Sequence, residues 1–215
     1  MGVKIEVKDI SKKLHGNMIL KNVSLTMEPG KIYGFRGRNG SGKTMLFRAI
    51  CGLMRTDRGE ITIDGKRIGS EISFPPSVGI LIENPAFLEH YTAFENLSMI
   101  ASINNIVGKE RIREVIETVG LNPDDARKVK RFSLGMKQRL GIAQAILEKP
   151  ELLLLDEPTN ALDREGVAIL EKILMDAKTE GVTIGIASHE KEDLEKWSDR
   201  IFEMQAGELF EGGML

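Results

Sequence analysis

Cysteine is almost missing from this chain: Cys51 stands alone among 215 residues, so no intrachain disulfide can form. That fits a reducing compartment, and a lone free cysteine is read first as a small buried apolar side chain. A surplus of one charge is missing too. Lys and Arg total 30 against 32 Asp and Glu, a formal net charge of −2. This argues against a general electrostatic hold on nucleic acid, which needs a basic excess. No apolar run approaches the ~18 residues of a membrane-spanning helix, so any role at a membrane calls for a separate spanning partner. The opening residues 1–6 alternate apolar and charged side chains and lack the apolar core of a signal peptide. Glu6 stands where a myristoylation pattern needs Ser or Thr. Internal repeats, low-complexity tracts and long linkers are absent as well. What is present is enough chain for one large domain, or one domain with an inserted lobe, able to bury a core without disulfides or structural metals.

Alternation over 3–7 predicts a half-exposed strand, and 19–27 a looser one stopped by Pro29-Gly30. A short apolar strand over 32–35 runs into a glycine-rich loop, 37–42, and then a helix over about 43–53. Residues 60–63 followed by Asp64-Gly65 predict a hairpin strand and its turn. Between 84 and 147 the pattern turns helical, over 94–103, 110–119 and 134–147, with Ile112, Val115, Ile116 and Val119 at helical spacing. The last third returns to α/β alternation. The apolar run Leu152–Leu155 suits a strand covered on both faces. A helix over 164–178, a strand over 182–187, a helix over 190–197 and a hairpin around Ala206-Gly207 follow. The expected fold class is α/β, with a mainly parallel sheet, an antiparallel β subdomain and a helical lobe. The expected organisation is one domain, 1–215, whose core of 1–83 and 148–215 carries the lobe 84–147.

Gly37-Arg38-Asn39-Gly40-Ser41-Gly42-Lys43-Thr44 fits G-x-x-x-x-G-K-[ST], between a predicted strand and a predicted helix. Glycines let the backbone wrap phosphates with its N–H groups inward, and the helix behind presents its positive end to the anion. Lys43 reaches the β- and γ-phosphates, and the Thr44 hydroxyl is a Mg²⁺ ligand. This points to ATP or another nucleoside triphosphate with Mg²⁺.

The second buried strand ends in Asp156-Glu157. Ligands of open α/β sheets bind beyond the carboxyl ends of strands, so Asp156 is placed to hold Mg²⁺ and Glu157 to act as general base on an attacking water. Alone, the pair would read equally well as two solvated acids at the start of a helix; the phosphate loop favours the catalytic reading.

Phe132-Ser133-Leu134-Gly135-Met136 resembles the signature of ABC-type ATPases, usually Leu-Ser-Gly-Gly-Gln, and departs from it at Leu134 and Met136. Asn160-Ala161-Leu162-Asp163 resembles the D-loop and Ser188-His189 the switch histidine of that family, and the motifs run in family order over nearly the whole chain. Ser133 is a good N-cap residue; its hydroxyl, the Gly135 N–H and the helix dipole form a second phosphate-binding surface. The resemblance implies an ATP-binding and hydrolysing subunit that drives a separate transmembrane permease from the inner, cytoplasmic face of the membrane. It further implies that Ser133 and Gly135 face the γ-phosphate held by a second copy of the chain, and that His189 contacts the γ-phosphate and orients water with Glu157. Where the family has a Q-loop glutamine this chain has Glu83, whose anionic oxygen strengthens contact to Mg²⁺ and, misplaced, repels the γ-phosphate. Glu83 and the Ser-Leu-Gly-Met signature resemble the bacitracin- and lantibiotic-resistance branch of bacterial exporters. The adenine-stacking aromatic of the family falls near 14–15, making His15 the candidate, with packing by Leu14 the alternative. Phe87, Leu88 and Tyr91 are candidates for the permease contact, with core packing as the alternative.

Two other readings stand against this. A soluble ABC-type ATPase acting on ribosomes or nucleic acid would carry a second ATPase domain, coiled coils or basic extensions. A small-molecule kinase or GTPase using the phosphate loop alone leaves Ser133, Gly135 and His189 unexplained.

Overall fold

The computed structural model describes residues 2–83 and 85–212. The expected boundary at Asn84 and the ends of the expected domain therefore lie outside the described residues. The strands are β1 (Ile5–Leu14), β2 (Asn17–Met27), β3 (Ile32–Arg36), β4 (Arg58–Ile63), β5 (Lys66–Arg67), β6 (Val78–Leu81), β7 (Leu152–Asp156), β8 (Thr183–Ser188), β9 (Arg200–Gln205) and β10 (Glu208–Glu211). The helices are α1 (Lys43–Ile50), α2 (Ala93–Asn104), α3 (Lys109–Thr118), α4 (Leu134–Ile146), α5 (Arg164–Thr179) and α6 (Lys191–Trp197).

Two sheets organise the chain. The larger runs β10-β9-β3-β8-β7-β6, with β9, β3, β8, β7 and β6 parallel and β10 antiparallel at the edge. The smaller, β2-β1-β4-β5, is antiparallel throughout. The α/β class with both sheet types is as the sequence predicted. Every residue of β7 and β8 is buried, which explains their unbroken apolar runs: a strand covered on both faces has no solvent side to mark with polar residues. The two-residue period of a strand then divides β7 between two cores. Leu152 and Leu154 join β1, β2 and α1 on one face; Leu153 and Leu155 join α2, α3, α4 and α5 on the other.

The first core is centred on aromatic rings. Phe35 of β3 meets Phe47 of α1 edge-on at 5.3 Å and stacks against Phe202 of β9 at 5.5 Å. Such pairs contribute about 0.5–1.5 kcal/mol each beyond their buried area. They fix α1 against β3, and so set the angle at which the chain turns from strand to helix through 37–42. Cys51 closes this core; burial pushes its thiol up to about 12, as an inert packing residue requires.

The second core runs without a break from the helical segment into the parallel sheet. Leu97, Val115 and Leu140 share one cluster with Leu153 and Ile184. Thr92 starts α2 with a capping box, its hydroxyl accepting from the Glu95 amide at 3.1 Å while the Glu95 carboxylate accepts from the Thr92 amide at 2.6 Å. Two strands exceed what the sequence pattern predicts. β6 is a parallel edge strand beside β7, and β1 continues to Leu14 through register shifts that begin after Val7.

Candidate active site

The loop 37–42 leaves β3 and enters α1 at Gly42, whose φ of 112° lies in the left-handed region. A Cβ there would stand 2.9 Å from the Ile19 carbonyl oxygen, so glycine is needed for space as well as for backbone angle. The loop is pinned by Ser41 N–H donating to the Arg38 carbonyl at 3.1 Å and by Gly207 N–H donating to the Ser41 carbonyl at 2.9 Å. No side chain caps α1 and its first turn holds no acid. Its first amides and positive dipole end are therefore left for an external anion.

A cavity of about 570 Å³ opens over this loop, lined among others by Lys43, Thr44, Glu83, Asp156 and Glu157. Gly40, Ser41, Gly42 and Asn39 line it too; Gly37 sits just beneath, against Ser41 and Met204. Lys43 is buried; its Nζ donates to the Gly37 carbonyl at 2.6 Å and lies 3.3 Å from Glu157 Oε1. The Thr44 hydroxyl donates to Asp156 Oδ2 at 2.5 Å. The other carboxylate oxygen, Asp156 Oδ1, is buried without a partner, and so is Ser41 Oγ. Buried polar atoms are otherwise almost always satisfied. Two orphans facing one phosphate-type loop fit a bound triphosphate and a hard cation: Thr44 and Asp156 supply the oxygen donors that Mg²⁺ takes.

Burial pushes the Asp156 carboxyl above the usual carboxylate range; the Thr44 hydrogen bond and Lys43 work against this, and the negative charges of Glu157 and Glu83 add to it. The consequence for stability has a definite sign. A carboxyl whose pKa is raised by folding binds its proton more tightly in the native state. Its contribution is then lost as pH rises from the ordinary carboxylate value through the raised one. Asp156→Asn is therefore expected to raise the melting temperature of the nucleotide-free chain at neutral pH, while losing the stabilisation that Mg²⁺ with ATP gives the wild type. Thermal unfolding with and without both checks this; a lower melting temperature without ligand would mean that the Thr44 bond outweighs desolvation.

Glu157 sits at φ 49°, a left-handed conformation unusual for a non-glycine residue. Its amide donates to the Ala187 carbonyl at 2.7 Å. His189 Nδ1 is 2.8 Å from Glu157 Oε2, and His189 Nε2 is 3.2 Å from Glu190 Oε1. Glu83, at φ 59°, accepts from Arg48 Nη2 at 2.8 Å. His15 does not line this cavity. It stands exposed in the β1–β2 turn at φ 47°, and the hairpin residue that does line the cavity is Ile19.

The signature lies elsewhere. Ser133 caps α4, its hydroxyl accepting from the Met136 amide at 3.2 Å, and it stays exposed, as does Leu134. Gly135 passes so close to the D-loop that a Cβ would stand 2.7 Å from the Ala161 carbonyl oxygen. These residues line a second cavity together with Ala161 and Asp163. Within one chain, cradle and cap thus line separate cavities. Arg139 belongs to the second cavity, donating to Asp163 Oδ1 at 2.7 Å and to the Val119 carbonyl at 3.2 Å. Gln138, to which the sequence assigns no role, is buried beside Glu157. Of the permease candidates, Phe87 packs against the second core, whereas Leu88 and Tyr91 are exposed. Among the described residues, no helix is long and apolar enough to cross a membrane.

A family model described as ABC transporter matches residues 20–160. The ABC transporter ATP-binding protein YybJ of Bacillus subtilis is 51% identical over 95% of this chain and 94% of its own length. The bacitracin transport ATP-binding protein BcrA of Bacillus licheniformis is 39% identical, covering 98% of this chain and 70% of the relative. The lantibiotic transport ATP-binding protein SrtF of Streptococcus pyogenes is 35% identical over 98% and 89%. A solved ATP-binding subunit of an ABC transporter superposes with a TM-score of 0.88 at 28% identity, over 98% of this chain and 90% of that one. A dimeric ATP-binding cassette solved in a post-hydrolysis state with ADP and Pi shares the fold at a TM-score of 0.86 and 23% identity, over 98% of each. This chain belongs to the ABC transporter family, as an ATP-binding subunit.

Proposed function

We propose that the chain hydrolyses ATP at two sites shared between two copies of itself and uses the cycle to drive a membrane permease. The observation that carries this is the meeting of loop and strand end: Lys43 lies 3.3 Å from Glu157, and Thr44 2.5 Å from Asp156. Glu157 takes a proton from water as the water oxygen bonds to the γ-phosphorus and the bond to the β–γ bridging oxygen breaks, releasing ADP. His189 holds the Glu157 carboxylate in place and contacts the γ-phosphate. Lys43 and the loop amides bind the phosphates. Thr44 and Asp156 would hold Mg²⁺, with Glu83 beside them, and the bound ion would neutralise charge on the β- and γ-phosphates.

Because Ser133 and Gly135 line a different cavity from Lys43 in the same chain, they complete the site of a second copy. A two-fold pair makes two equivalent sites, and ATP favours the closed pair because both faces attract its γ-phosphate. The helical segment 84–147 serves as the signalling lobe, and exposed Leu88 and Tyr91 face the permease from the cytoplasmic side of the membrane. By similarity to BcrA and SrtF, the cargo class is a peptide antibiotic, exported or resisted.

The shared site is tested by complementation. Ser133→Asp keeps a good N-cap but sets a negative charge against the partner's γ-phosphate. Ser133→Asp and Lys43→Ala chains are each expected to be inactive, and their mixture to regain turnover, since the mixed pair contains one intact cradle facing one intact cap. A mixture as inactive as its parts would overturn the shared site.

A further inference from the structure

We infer that Gln138 is a positioning residue for ATP hydrolysis, holding the backbone of Glu157 in the left-handed conformation that aims its carboxylate at the phosphate loop. The inference rests on Glu157 acting as the base. Gln138 is one of few buried polar residues among the described residues, at 6% exposure. Its Nε2 donates to the Glu157 carbonyl at 3.3 Å and to the Pro158 carbonyl at 3.1 Å. Both donors of one amide are thus used on consecutive carbonyls, which fixes the direction of the side chain. The contact brings a residue of α4 to the loop that follows β7.

The need for the clamp is visible in the backbone. Glu157, a residue with a long side chain, is held at φ 49°, where sterics disfavour anything but glycine and a few small polar residues. Strained backbone persists only where the surroundings over-determine it. Here the amide is tied to Ala187 of β8, and the carbonyl accepts from both Asn160 N–H at 3.2 Å and Gln138. Removing Gln138 leaves the amide tie and the Asn160 bond but takes away the one donor that the Glu157 and Pro158 carbonyls share, loosening the peptide plane between them. The carboxylate would then swing relative to Lys43 and His189.

The same helix carries the signature. Ser133 caps α4, Gly135 touches Ala161, Gln138 holds Glu157 and Pro158, and Arg139 holds Asp163. The segment from the base to the D-loop aspartate is therefore strung along the first turns of one helix.

The experiment uses Gln138→Met, which keeps length and apolar bulk but removes both donors, in the full chain and in a Glu157→Gln background. The expected result is a fall in kcat of about 10–100-fold, the range for a misplaced catalytic group, with KM and ATP affinity within about threefold of wild type. In the Glu157→Gln background the second substitution is expected to lower residual turnover no further, since the group being positioned is already gone. A kcat within about twofold of wild type would overturn the inference. So would an equal fold-loss in both backgrounds, or a parallel loss of ATP affinity, which a general packing defect would give. Should the methionine variant not fold, Gln138→Asn is read by the same criteria. Wild-type turnover in Glu157→Gln alone would instead remove the base itself, separating that failure from a failure of Gln138.

Discussion

Glu157→Gln is expected to bind ATP with near wild-type affinity, turn it over at least about 100-fold more slowly, and remain as an ATP-bound dimer. Glutamine keeps the shape and can still meet His189 Nδ1, 2.8 Å away in the wild type, but it cannot take a proton from water. The cradle is untouched, because the loop amides and Lys43 do not need the carboxylate to bind phosphate. Removing one negative charge beside the triphosphate also lowers repulsion. In the proposed cycle hydrolysis loosens the pair, so blocking it is expected to trap the closed state. Steady-state turnover, ATP binding and light scattering with ATP check the three parts. Turnover within a few-fold of wild type would assign the base elsewhere; lost ATP binding would make Glu157 part of the cradle.

How far the sequence anticipates this site depends on how each residue is constrained. The phosphate loop is legible because its backbone path needs glycine at set positions, and Gly42 at φ 112° against the Ile19 carbonyl is such a case. The acid pair is legible because β7 is buried on both faces, so the first charges after Leu155 must mark the strand's end. Ser133, Gly135 and His189 were read by resemblance; nothing in their spacing alone implies a shared nucleotide. β6 is not legible because four residues, Val78–Leu81, give too short a period to detect. β1 was cut short because its alternation breaks where Asp9 adopts φ 51° and the register shifts. Position in the chain makes His15 the adenine candidate; the hairpin turn falls on His15 itself, and Ile19 is the hairpin residue that lies against Gly42. The sequence offers no role for Gln138. A glutamine in a helix normally faces water, and its partners here lie 19 and 20 residues away in the chain. Only tertiary packing reveals it.

Lys43→Ala is expected to weaken ATP binding at least about tenfold and to leave turnover below about 1% of wild type, within the range for losing a main electrostatic contact to a transferred phosphoryl group. Without nucleotide, the ammonium satisfies itself on the Gly37 carbonyl at 2.6 Å and on Glu157 at 3.3 Å. Both are exchangeable partners. On the proposed reading, phosphates entering the loop offer Lys43 a stronger anion than Glu157, so ATP binding and release of the base would be one event. The alanine variant separates them. Its Glu157 is free from the start, still oriented by His189, yet the γ-phosphate has lost its cation. If freeing the base were what limits turnover, this variant would be faster than wild type; if holding the phosphate limits it, the variant is nearly dead. Phosphate charge is concentrated on the γ-group and α1 supplies only partial charge to meet it, so the second outcome is expected. Nucleotide titration and steady-state kinetics on the same preparation decide it, with thermal unfolding of the nucleotide-free chain to show that the loop remains folded. ATP affinity within about threefold of wild type would remove Lys43 from the phosphate site and leave its contact with Glu157 as its main role.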